Sequence, residues 1–159
     1  LSEAQVEALL AAPDVATPLG LRDRAMLELL YACGLRVSEL EGIATVRVGL
    51  NEGVLRVVGK GAKERLVPFG GEAQDWIERY LAEARSAILG GQRSDALFVT
   101  ARGGAMTRQM FWILVKRHAA TAGITVPLSP TQWLVCAAMG SSVLWFSELR
   151  KLVHRTWND

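Results

Sequence analysis

Two residues of this chain have surroundings suited to chemistry on an anion. Arg36 stands in Tyr31-Ala32-Cys33-Gly34-Leu35-Arg36-Val37-Ser38-Glu39-Leu40, where one helix should stop at Gly34 and another begin. Lys60 stands in Val58-Gly59-Lys60-Gly61-Ala62-Lys63-Glu64-Arg65, between two glycines at the expected tip of a hairpin. A guanidinium grips two oxygens at once, and an ammonium adds a point charge or a proton. A phosphate held between them is the natural target of such a pair.

Each member also has a plainer explanation. Arg36 can form an internal salt bridge to Glu39 or Glu41, and Lys60 can be an ordinary hairpin-tip lysine. Lys63 and Arg65 extend the basic tip, as a solvated turn would. Thr107-Arg108 opens a helix whose first amides favour phosphate, although a cap followed by a surface arginine reads the same way. Lys116-Arg117-His118 lies near that helix's end, where cations suit the helix dipole in any protein, and His118 reads as structural or exposed.

The elements that must position these residues follow from caps and periodicity. Ser2 caps a first helix with Gln5 reaching back, and the helix stops before Pro13 or Pro18. A second helix runs from about Leu21 to Cys33, with Leu21, Ala25, Met26, Leu29 and Leu30 in one stripe and Tyr31 as a packing residue. A short helix spans Val37 to Gly42. Three short valine-rich strands are then expected at 45–50, 54–58 and 64–69, separated by turn-forming residues. Leu55 and Val57 alternate with Arg56 and Val58 across the middle strand. A helix from Glu72 to about Leu89 carries Trp76, Ile77, Tyr80, Leu81 and Ala84 at helical spacing. Leu97-Phe98-Val99 reads as extended, Arg102-Gly103-Gly104 as a turn, and Thr107 as the cap of a helix to Ala122-Gly123. The fold class is α+β and mostly helical, with a small three-stranded antiparallel sheet.

The 159 residues suffice for one domain with a sizeable core. Net charge is only +2, but residues 51–128 hold 11 lysines and arginines against 7 acids, so the surplus sits on the hairpin and the later helix. A polyanion partner fits that distribution once it is combined with the arginine–lysine pair. Cys33 and Cys136 are in no metal or redox spacing and read as small buried hydrophobes in a reducing compartment. No metal or other cofactor, no nucleotide and no membrane partner is expected, and the cytoplasm is the default location. Phosphatase and nucleotide-dependent chemistry are disfavoured, since the chain has no Cys-x5-Arg loop, metal carboxylate cluster or glycine-rich nucleotide loop.

In order, Leu21-Arg22-Asp23-Arg24-Ala25-Met26-Leu27, the Arg36 stretch and Val58 through Pro68 resemble the catalytic domain of the tyrosine recombinases, the phage integrase family, of the Xer type. Met106-Thr107-Arg108-Gln109, Gly123-Ile124 and Leu128-Ser129-Pro130 continue in register with it. The resemblance covers residues 1–130 and implies site-specific DNA recombination, without metal or ATP, through a 3′-phosphotyrosyl link. It makes Arg36 the residue that neutralises the phosphorane and Lys60 the one that protonates or stabilises the leaving 5′-oxygen. Glu39 orients the arginine region, while Lys63, Arg65, Thr107 and Arg108 contact the DNA backbone. It also implies double-stranded DNA and a sister recombinase or a second copy as partners.

After Pro130 the pattern departs from that family. Thr131-Gln132-Trp133-Leu134 replaces the family's His-x-x-Arg motif, and the only tyrosines, Tyr31 and Tyr80, are not at a nucleophile position. Trp133, Trp145 and Trp157 crowd the last 29 residues. The chain therefore reads as a catalytically incomplete core (1–130) with a divergent, helical tail (131–159), and a reading-frame change near residue 131 would produce this pattern. Two alternatives stay open: a non-catalytic DNA-binding or regulatory module, and a folded remnant that self-associates through its tryptophan-rich tail.

Overall fold

The computed structural model describes residues 1–59 and 63–125. Helix α1 (Glu3–Ala11) begins with the expected capping box: Ser2 Oγ accepts from Gln5 N, and Gln5 Oε1 accepts from Ser2 N. Pro13 is therefore outside the helix. The second helix, α2 (Pro18–Cys33), starts three residues earlier than periodicity indicates. Thr17 caps it through Gly20 N, and Pro18 takes a first-turn position where its missing N–H costs nothing. It ends at Gly34, which adopts φ 56° and ψ 39°, a left-handed conformation that glycine enters without penalty.

Helix α2 is the hub of the core. Leu21, Ala25, Met26 and Leu29 are all at most 2% exposed, and α1 and α4 (Gly71–Arg79) pack against it. Past Leu29 burial falls away, so Tyr31 is 64% exposed and is not the packing residue expected from sequence. The last turn of α2 projects beyond the elements that cover its middle. Cys33, expected to be buried, is half-exposed there, with its Sγ 3.9 Å from the Pro68 carbonyl.

Helix α3 (Val37–Glu41) follows, then a 3-10 turn (Thr45–Arg47) that consumes most of the expected first strand. Only Val48–Gly49 (β1) pairs, antiparallel to β2 (Val54–Val58), which in turn pairs with β3 (Glu64–Pro68). The alternation in β2 is as expected: Leu55 and Val57 are 0% and 2% exposed, and Arg56 and Val58 face outward. Gly59 N donates to Lys63 O at 2.9 Å and closes the base of the hairpin.

The long helix expected over 72–89 is interrupted. Between α4 and α5 (Arg85–Leu89), residues Tyr80–Ala84 form a π turn, closed by Arg85 N donating to Tyr80 O. The extra residue shifts the buried face, so the next buried side chain after Ala84 is Leu89, five positions on. Tyr80 is fully buried, donating its hydroxyl to Leu97 O at 2.9 Å and accepting from Val99 N at 3.4 Å. Arg85 also donates to the carbonyls of Ser94 and Ala96, at 2.6 and 2.8 Å. These bonds fix Leu97-Phe98-Val99 in the core. Gly103 (φ 80°) turns the chain back, and Thr107 caps α6 (Arg108–Thr121) through Met110 N.

Candidate phosphate-binding site

Glu39 is the centre of the site. It is the third residue of α3, and its side chain is only 5% exposed, so a lone carboxylate there would be costly. Three donors hold it. Oε2 accepts from Arg36 N at 2.9 Å and from Arg65 Nη2 at 3.2 Å, and Oε1 meets Arg36 Nη1 at 3.5 Å. The first bond caps the helix, so Glu39 fixes the backbone of Arg36 whatever the guanidinium does. That guanidinium is held at the outer limit of hydrogen-bond length, and its side chain is 72% exposed. Arg36 is thus anchored at its main chain and open at its head. The plain alternative, a salt bridge to Glu39, does form, but it leaves most of the guanidinium's donors facing solvent.

Arg65 reaches Glu39 from β3, 26 residues away in sequence. The family resemblance makes it a DNA-backbone contact; one of its guanidinium nitrogens meets the buried Glu39 carboxylate, and the side chain is 46% exposed. No local signal pairs the two, because the contact depends on how the sheet sits beside α3. Arg47 and Arg56, also missed, line a cleft of about 160 Å³ with Ser38 and Glu39. The cleft is too small for a nucleotide, whose pockets run to roughly 300 Å³ or more, so it adds cationic surface rather than a ligand cavity.

Lys63 is exposed at the hairpin base, and Thr107 and Arg108 are exposed at the start of α6. α6, which begins at Arg108, packs on α3, the helix that follows Arg36. Lys60 lies outside the described residues, as do Cys136 and the tail from 131 onward. Among the described residues, no group of three or more His, Cys, Asp or Glu could hold a metal ion, and no helix is long and apolar enough to cross a membrane.

Two further groups bear on the chemistry. The Tyr80 phenol is pushed above its ordinary range by burial and is hydrogen-bonded on both sides, which suits a structural role and not a nucleophile. The Cys33 thiol is pushed up to about 11 by burial, opposed by the nearby charge of Arg65, so it is a poor nucleophile at neutral pH.

A second charged cluster was invisible in the sequence. Asp23 Oδ1 accepts from Arg22 Nε and Nη2 at 2.9 and 2.6 Å, and Asp23 Oδ2 lies 2.8 Å from His118 Nε2. Arg22 Nη1 donates to Val99 O at 2.9 Å. The cluster ties α2 to α6 across 95 residues of sequence, so of the two readings open for His118, structural or exposed, the buried structural one applies.

Comparison with known proteins accords with this geometry. Residues 1–133 match the model of the phage integrase family. Over 131 residues the chain is 69% identical to tyrosine recombinase XerD of Ralstonia nicotianae, covering 82% of this chain and 42% of that protein. The crystal structure of XerA recombinase superposes with a TM-score of 0.69 at 25% identity, covering 82% of this chain and 45% of that one. XerH recombinase bound to its difH substrate shares the fold at 21% identity, with a TM-score of 0.65, over 80% of this chain and 37% of that one. The chain thus spans less than half the length of these relatives. With a match over residues 1–133 that takes in the Arg36 and Glu39 helix and the hairpin, the chain belongs to the phage integrase family.

Proposed function

We propose that this chain binds double-stranded DNA and provides the phosphate-stabilising part of a site-specific recombination core. Arg36 neutralises the non-bridging oxygens of the attacked phosphate, where charge builds as the phosphorus becomes pentacoordinate. Lys60 protonates or stabilises the leaving 5′-oxygen. Glu39 orients Arg36, while Lys63, Thr107 and Arg108 hold the DNA backbone and add affinity with little sequence preference. The observation that carries this reading is the arrangement of Arg36: main chain pinned by a buried carboxylate, guanidinium mostly in solvent. A purely structural arginine would be expected to spend its donors inside the protein.

In this reading residues 1–130 are the catalytic-core-like part and residues 131–159 a divergent tail, a division supported by the family match ending at residue 133. The chain by itself stabilises the phosphate without cleaving it, since its two tyrosines are a buried phenol and a surface residue on α2. A second copy or a sister recombinase supplies the assembly, and the DNA-bearing cytoplasm is its location. A reading-frame change accounts for the tail if another frame of the encoding DNA contains the His-x-x-Arg and tyrosine segments; their absence from all frames rules that origin out.

The test is duplex binding. Affinity should fall steeply with salt, and Arg36→Ala and Lys60→Ala should each weaken it. Binding that is absent, or indifferent to salt, contradicts the proposal. A nicked suicide duplex should give no covalent adduct, and an adduct at Tyr31 or Tyr80 would refute the incomplete-core reading.

A further inference from the structure

We infer that Arg65 is a positioning residue, the counter-ion that keeps Glu39 neutralised while the Arg36 guanidinium is handed to a phosphate; this rests on the function proposed above. Glu39 is nearly buried and faces two arginines. Arg36 holds it by a firm main-chain bond and a marginal guanidinium contact of 3.5 Å, whereas Arg65 makes the closer guanidinium contact at 3.2 Å. When an incoming phosphate draws the Arg36 guanidinium away, the carboxylate loses one cation. A buried carboxylate without a cation would pull the guanidinium back and compete with the phosphate. Arg65 removes that competition because it stays on Glu39. It lies on β3, the second strand of the hairpin, and reaches α3 from there.

This role differs from a direct DNA contact in a way that can be measured. If Arg65 acts through Glu39, its loss matters only while Glu39 is charged. The full chain and a short duplex at fixed salt serve for the assay, with Kd measured for the unmodified chain, Arg65→Ala, Glu39→Gln and the double variant. Glutamine keeps the oxygen that caps Arg36 N. Arg65→Ala should weaken binding about fivefold, as expected for neighbouring groups in one network. In the Glu39→Gln background the same change should weaken it less than twofold. Glu64→Gln is the charge-matched control: Glu64 is exposed and paired with Arg56, so it should not rescue Arg65→Ala.

Arg65→Met, which retains part of the side-chain stem, replaces alanine if that variant fails to fold. An equal loss in both Glu39 backgrounds, or equal rescue by Glu64→Gln, overturns the inference and leaves the DNA reading intact. Salt-independent binding, or none, by the unmodified chain overturns both.

Discussion

Among the described residues, the carboxylates of Asp23 and Glu39 each lie between two nitrogen-bearing side chains, and they have opposite characters. Asp23 is closed: Arg22, Asp23 and His118 side chains are 3%, 5% and 10% exposed, and their bonds run to one another or to a core carbonyl. Glu39 is as deeply buried as Asp23, but its two arginines are 72% and 46% exposed. In the first cluster the donors turn inward, to Asp23 and to the Val99 carbonyl, and the His118 contact joins α2 to α6. In the second the carboxylate is satisfied while the cations keep donors in solvent. A charged cluster becomes a binding site when the group at its centre needs less than the groups around it can give.

The sharpest way to break this contrast is Asp23→Ala. It leaves Arg22 and His118 buried without their partner and should cost about 3–5 kcal/mol in a denaturant titration. A loss below about 1 kcal/mol would show that the closed cluster is not structural. Arg36→Ala should lower stability by less than about 1 kcal/mol, because its helix-capping bond uses the main chain and its exposed ion pair is weak.

The tyrosines repeat the contrast on a smaller scale. Tyr80→Phe removes a buried hydroxyl that serves Leu97 O and Val99 N, at a cost of about 1–2 kcal/mol. Tyr31→Phe should change stability by less than about 0.5 kcal/mol, as for other exposed sites. Equal effects would mean that the π turn does not hold Tyr80 in the core.

Glu28 gives the smallest effect. Burial raises its pKa above the ordinary 4.5, against the opposing pull of Arg24. The folded chain then holds that proton more tightly than the unfolded chain. The resulting stability is fully present below pH 4.5 and is lost as pH rises through the folded value. Glu28→Gln should flatten the stability profile in that window; an unchanged slope would assign it to another group.

What could be read from sequence was what neighbours decide. The Ser2–Gln5 box, the left-handed Gly34, the Thr107 cap and the alternation along β2 all depend on residues within a few positions of each other. The Arg36 stretch was likewise legible, because Glu39 reaches back only three residues. Partners chosen by packing were not legible. Arg65 meets Glu39, and Asp23 meets His118, only once sheet and helices are assembled. Tyr31 sits at a helical position compatible with burial and is nonetheless 64% exposed. The π turn has no composition signal, and Thr45–Arg47 became a 3-10 turn despite strand-forming residues.

The central claim is that Arg36 holds a DNA phosphate, and the slope of log affinity against log salt for a short duplex tests it most directly. Against the unmodified chain, Arg36→Ala should bind roughly tenfold more weakly and lose about one unit of that slope. A slope and affinity unchanged by the substitution would contradict the account.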